Sequence, residues 1–205
     1  MAQSVGTIQR RLESVLDDFK QARTYWHDIN REGFSRANTL VNAVIQSRYV
    51  DNNAYWHPML VMEFPDLKRA YDGKMKIIIR RHEEQLSDSL RKLARQHDKM
   101  QGYLVELQAI YKRAQQLFDA PEVMPLYRTC SLSVFVQRSN DIVAMYSKEL
   151  STKQMMLGLN GLQHVKTREE GLTLLSIWLN EPRILESVIQ EFEEICSFEM
   201  DTVSA

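Results

Sequence analysis

The segment IRRHEEQLSDSLRKLARQHDKMQGYLVELQAIYKRAQQLF, residues 79–118, carries its apolar side chains in alternating steps of four and three. Ile79, Leu86, Leu93, Met100, Leu107 and Ala114 form one row. Leu90, His97, Leu104, Tyr111 and Phe118 form the row between them. An a/d seam held for so long predicts one unbroken helix. About 40 residues make a rod of roughly 60 Å, twice the width of a small domain. Such a rod cannot hide its stripe alone, so other helices must lie beside it. In a two-stranded zipper the e and g positions usually carry Glu and Lys. Here Tyr103, Ile110 and Leu117 stand at g, and Ala94, Gln101, Gln108 and Gln115 at e. The N-terminal half therefore reads as a narrow seam and the C-terminal half as one wall of a multi-helix core.

On the N-terminal side, Ile8, Leu12, Val15, Phe19, Ala22, Trp26 and Ile29 step the same way from a start near Ser4 or Thr7. Gly33 is expected to interrupt or bend this helix, and Ala37, Leu40, Val41, Val44 and Ile45 continue an apolar face after it. That pattern fits one kinked helix or a helical pair. Asp51-Asn52-Asn53 is turn chemistry, and His57-Pro58 favours extended backbone. Met59 to Met62 reads as a plug within a loop. Phe64-Pro65-Asp66-Leu67-Lys68 reads as a helix start, with Asp72-Gly73 a candidate interruption before the rod.

The rod is expected to end near Asp119, with a connection through Pro121 and Pro125, and Ser131 or Ser133 as the next cap. A helix with Phe135, Ile142, Tyr146, Leu150 and Met156 on its apolar face ends at Gly158 and Gly161. Thr167-Arg168-Glu169-Glu170 has the form of a capping box for a short helix whose Leu172, Leu175, Trp178 and Leu179 face inward. Asn180-Glu181-Pro182 restarts the chain into a last helix bearing Ile184, Leu185, Ile189 and Phe192. The fold class is all-α: an elongated antiparallel helical bundle organised on one long central helix. It is expected as one helical domain over 1–205, with N-terminal helices about 4–48, a loop 49–64, the long helix about 66–119 and C-terminal helices about 133–198.

The chain has 205 residues and a formal net charge of -1, so its overall charge does not steer it to nucleic acid or membrane. Two cysteines, Cys130 and Cys196, lack metal spacing and imply a reduced intracellular compartment. No apolar run approaches the roughly 20 residues of a membrane helix, and the N-terminus shows no secretory signal. Gly158-Leu159-Asn160-Gly161 lacks the lysine of a phosphate loop. The five histidines do not pair at metal-ligand spacing, so no metal, cofactor or catalytic site is expected. Glu83-Glu84 and Glu193-Glu194 point about 100° apart and read as solvated charges. Lys74 to Lys99 holds eight basic residues against four acidic ones, and Glu181 to Asp201 seven acidic against Arg183 alone. These are two solvated faces or, on a functional reading, a basic surface meeting an acidic partner or RNA. With no aromatic platform on the rod, direct nucleic-acid binding is the weaker reading, kept as a basic-faced helical nucleic-acid-binding alternative.

Trp26, the Phe64-Pro65-Asp66-Leu67-Lys68 stretch, the long helix closing at Ile110-Tyr111, and Tyr146 to Lys153 together resemble the AAA-ATPase-interacting ribosome maturation factor (AIRIM) family. The resemblance also takes in Trp178 with the acidic final helix and covers nearly the whole chain, except Ala120 to Ser133. A second family, the cyclin-dependent-kinase-interacting protein (CINP) family, is similar at Trp26-His27, Gly33-Phe34, Ala37-Asn38, Tyr146 to Leu150 and Ser176 to Leu179. The Phe64 to Lys68 stretch favours the first. The resemblance implies a non-enzymatic adaptor that pairs with a CINP-like helical subunit on AAA ATPases and serves pre-60S ribosomal maturation indirectly. The alternative is a CINP-like subunit of the same complex, linked to DNA replication and genome maintenance. It implies action in cytoplasm and nucleus, no cofactor and no membrane. Trp26, Phe64, Leu67, Leu90, His97 and Trp178 are the candidate partner-contact residues, each with an ordinary packing role as its plain counterpart.

Overall fold

The computed structural model describes residues 2–117, 126–158 and 161–200. Phe118, the expected helix end near Asp119, the connection through Pro121 and Pro125, and Leu159-Asn160 lie outside the described residues. Among those described, the helices are α1 (Ala2–Ser47), α2 (Pro58–Glu63), α3 (Leu67–Leu117), α4 (Leu132–Met156), α5 (Arg168–Asn180) and α6 (Glu186–Met200). No strand occurs among them, and the fold is an all-α helical bundle.

The rod is α3, 51 residues long. Leu86, Leu93, Met100, Leu107 and Ala114 are all buried, as are His97 and Leu104, while Ile79, Leu90 and Tyr111 are half-buried. The expected wall holds at Ile110 but not at Leu117, which is exposed. Asp72-Gly73 does not interrupt α3. Nor does Gly33 break α1, which runs through it. One Gly costs a helix interior only about 1 kcal/mol, and packing can outweigh that.

The described residues gather into two compact units. The first draws on Met1–His27, Ala94–Glu149 and Pro182–Ala205. Within it α1 and α3 run antiparallel: Arg11 reaches Glu106 at 3.8 Å, and Asp18 lies near the Tyr103 phenol. α4 and α6 are also antiparallel, with Arg138 on Glu191 at 2.7 Å and the Leu185 N–H on Met145 Sδ at 3.4 Å. Phe19 meets Phe192 edge-on at 6.5 Å, and Trp26 meets Tyr146 edge-on at 5.1 Å. The four segments thus alternate in direction around a core of interlocking side chains.

Glu199 latches the approach to α4 in this unit. Its carboxylate accepts the N–H of Arg128 at 2.9 Å and of Thr129 at 3.0 Å, and the Thr129 hydroxyl. Burial raises its pKa, but these donors and the Cys130 N–H outweigh burial and hold it at about 2.

The second unit draws on Asp28–Leu93 and Leu150–Glu181. Arg36 donates to the Gln85 carbonyl at 2.7 Å and sits 3.6 Å from Asp88. Tyr71 donates to the Gln46 carbonyl at 2.8 Å, so α1 and α3 are antiparallel here too. α5 lies closely on α1 because each helix supplies a glycine at the contact. A Cβ on Gly33 would stand 2.8 Å from Trp178 Cζ2, and one on Gly171 would stand 2.6 Å from Val41 Cγ1. Trp178 is fully buried and donates its indole N–H to the Asn30 carbonyl at 3.2 Å.

Thr167 caps α5, its hydroxyl accepting the Glu170 N–H at 3.2 Å, while Glu170 accepts the N–H of Lys166 at 2.7 Å. The expected capping box is thus displaced by one residue in its return arm. Buried Lys153 closes the other end. Its ammonium donates to the Trp178 carbonyl at 2.9 Å, stands 4.7 Å from the Trp178 ring and 3.5 Å from Glu181. A cation here satisfies a terminal carbonyl and opposes the negative end of the helix dipole. Leu172 and Leu179, expected inward, are exposed; Gly171, Leu175 and Trp178 form the buried face instead.

Candidate functional site

The turn between α1 and α3 was read as a loop with an apolar plug, and its structure is the reverse. Arg48–Asp51 and Asn53–Tyr55 are single 3-10 turns, hinged at Asn52, whose side chain accepts the Ala54 N–H at 3.0 Å. Pro58 then opens α2, which has no buried residue. Met62 is 82 % exposed and Met59 69 %, with Leu60 and Phe64 also in the open. The apolar run folds as a helix because Pro58 presets the first turn and the His57 carbonyl takes the N–H of Leu60 and Val61. Val61 is half-buried, but Met59, Leu60 and Met62 stay exposed among the described residues.

The turn that leads into α2 is nevertheless ordered, by a cluster of aromatic rings. Tyr49 and Tyr55 stack at 4.8 Å, and Trp56 stands edge-on to Tyr55 at 5.4 Å and to Tyr71 at 5.2 Å. Trp56 donates its indole N–H to the Tyr49 carbonyl at 2.9 Å. Lys68 donates to Asn53 Oδ1 at 2.9 Å and Arg48 to the Val165 carbonyl at 2.9 Å. The Tyr71 phenol is pushed up by burial and by its neighbours Tyr55 and Tyr49, so it stays a neutral donor at physiological pH. A fixed apolar surface rich in Met and aromatic side chains has the composition of a protein-contact site.

The six residues singled out by sequence do not come together. Trp26 and Trp178 are core anchors of different units, at 1 % and 0 % exposure, and neither presents a surface. His97 is a buried seam residue whose Nε2 has no partner among the described residues. Burial depresses its pKa, against a smaller upward pull from Asp98, so it is neutral at pH 7. Leu90 is half-buried in the seam. Only Phe64, exposed, and Leu67, half-buried at the first residue of α3, belong to the surface around α2. Tyr49, Tyr55, Met59 and Met62 were missed. An uncovered apolar run looks the same in sequence as a covered one.

Among the described residues, no group of three or more His, Cys, Asp or Glu could hold a metal and no helix is long and apolar enough to cross a membrane. Burial pushes the Cys196 thiol up to about 12, which leaves it protonated and a poor nucleophile. A cavity of about 300 Å³ in the second unit is lined by Leu40, Glu83, Glu84, Arg91, Met156 and Leu162. Glu83 and Glu84, read as solvated, both reach it. Four bases of the Lys74 to Lys99 segment pair with acids of the same helix: Lys76 with Asp72, Arg80 with Glu84, and Arg91 and Lys92 with Asp88.

The geometry thus defines an all-α helical scaffold with an exposed apolar surface around α2. No family model matches the chain. It is 22% identical over 182 residues to the cyclin-dependent kinase 2-interacting protein of Xenopus laevis, covering 88% of this chain and 84% of that protein. Of the two resemblances in the sequence, this supports the CINP-like one and not AIRIM specifically.

Proposed function

We propose that this chain is a non-enzymatic, CINP-like helical adaptor that pairs with a second helical subunit and works on an AAA ATPase assembly. The observation that carries the reading is the surface around α2: apolar side chains exposed on a short helix that follows an ordered aromatic turn. A chain that folds to present such a surface is built to be covered by another protein. The distant relative, an interacting protein by name and aligned over most of both chains, supports the same reading. The role in genome maintenance that the CINP resemblance implies stands ahead of 60S ribosomal maturation, and the proposal extends to action in cytoplasm and nucleus. On this reading, as the resemblance implies, the ATP chemistry belongs to the partner.

The test is light scattering on size-exclusion of the full chain, alone and co-expressed with a CINP- or AIRIM-type subunit, with unfolding followed in both samples. A stoichiometric complex with a raised unfolding midpoint is the expected result. A cooperatively unfolding monomer that gains nothing from either subunit sinks the adaptor reading.

A further inference from the structure

The charges around the exposed apolar surface name the kind of partner it fits. On α3, Lys74, Ile77 and Arg81 stand at i, i+3 and i+7, one face of the helix. Ile77 is 72 % exposed between the two cations. Lys74 and Arg81 have no acidic partner among the described residues, whereas Lys76 and Arg80 beside them do. From Asp66 to Arg81 the chain carries six basic residues (Lys68, Arg69, Lys74, Lys76, Arg80, Arg81) against Asp66 and Asp72. α2 ends at Glu63 and α3 starts at Leu67, with the Leu67 N–H on the Phe64 carbonyl at 3.0 Å. The Met-rich turn therefore leads directly into the helix that bears these cations. Leu67 to Arg81 rises about 21 Å, the length of four helical turns.

Resting on the adaptor reading, we infer that this surface docks an acidic amphipathic helix of a partner protein. The apolar side of that helix covers Met59, Met62 and Phe64, and its carboxylates face Lys74 and Arg81. Met is suited to the role because its unbranched thioether side chain adapts to a partner's shape. Desolvated Glu–Lys and Glu–Arg contacts add rate and register to the apolar contact. An anionic membrane is disfavoured by two acids. Glu63 and Asp66 bracket Phe64, and both are exposed. Inserting Phe64 among lipid phosphates would press both carboxylates against like charge.

The test uses the full chain carrying a photo-crosslinking residue at Met62, with two probes. One is a synthetic helix with Leu on one face and Glu on the other; the second is vesicles of phosphatidylcholine and phosphatidylserine. The peptide is expected to cross-link at Met62. Its affinity is expected to fall about tenfold or more with Lys74→Glu and Arg81→Glu combined, and similarly with Met59→Ser and Met62→Ser combined. All four residues are exposed, so the unfolding midpoints of both variants should match the parent. The inference is overturned if the peptide does not bind, if it binds both variants equally, if the chain floats with vesicles while ignoring the peptide, or if Met62 cross-links only to a second copy. Co-expression with the helical subunit separates the two claims. Variants that still pair while losing the peptide confirm a distinct docking surface. A parent chain that pairs with neither subunit removes the adaptor reading, while the peptide result still decides the docking surface.

Discussion

Replacing Gly33 by Ala isolates the close approach of α1 and α5. In a helix interior Ala is favoured over Gly by about 1 kcal/mol, because it loses less backbone freedom on folding. At Gly33 that gain meets an obstruction: the new Cβ would stand 2.8 Å from Trp178 Cζ2 and 3.5 Å from Ser89 Cβ. Ordinary carbon contacts lie at roughly 3.5–4.0 Å, so the ring must yield by about 0.7 Å. Trp178 has little freedom to do so, held by Asn30 through its indole N–H and faced by the Lys153 ammonium. Overpacking of this kind costs about 1–3 kcal/mol. Gly73 is the internal control: it lies in the same unit, inside α3, with nothing within 4 Å of its Cβ. Both variants gain the helix term, so their difference reports the clash alone, about 1–3 kcal/mol. Urea unfolding followed by circular dichroism should show Gly73→Ala more stable than the parent and Gly33→Ala less stable than Gly73→Ala by that amount. Equal midpoints would mean that Trp178 moves freely, and the account of the α1–α5 contact would be wrong.

Other expectations follow from the buried polar groups. The Glu199 carboxyl is held at about 2, below its ordinary 4.5, so its contribution is present above pH 4.5 and lost as pH falls towards 2. Glu199→Gln should cost about 1–3 kcal/mol at pH 7 and flatten the acid limb of the stability profile, read by urea midpoints across that range. His97 is depressed below 6.5, so the unfolded chain takes up the proton first and stability falls as pH drops below 6.5. His97→Leu should remove that loss and, by deleting a buried ring nitrogen without a partner, raise stability by about 1 kcal/mol at pH 7. Lys153→Met takes the buried ammonium away from Glu181 and from the Trp178 carbonyl at the end of α5, and should cost about 3 kcal/mol in the same assay.

The long seam was legible because one helix repeats its own geometry. Leu86, Leu93, Met100, Leu107 and Ala114 are buried because spacing alone puts them on one face. Helix breaks were overread at Gly33 and Asp72-Gly73, where the local signal is weaker than the packing that overrides it. The orientation of Leu172 and Leu179 was misread because α5 meets α1 through small Gly171, a buried residue that a hydrophobic count passes over. The functions of Lys153 and Glu199 were invisible: each depends on a group at least 25 residues away in the chain. Trp26 and Trp178 stand out in sequence as contact residues, but their prominence reflects the size of the hole each fills. The uncovered surface at Met59 to Phe64 had a visible composition but no visible orientation.

Each compact unit is assembled from stretches separated along the chain, the first from three and the second from two. The second unit requires its Leu150–Glu181 stretch and the first its Pro182–Ala205 stretch. A ribosome making this protein therefore releases α1 and most of α3 long before either core has all its walls. The nascent rods must wait with their greasy stripes bare, or be shielded by a chaperone, until the last helices emerge. For the same reason no single cut can liberate one intact half, and deletion series should give insoluble fragments where a beads-on-a-string protein would give folded ones.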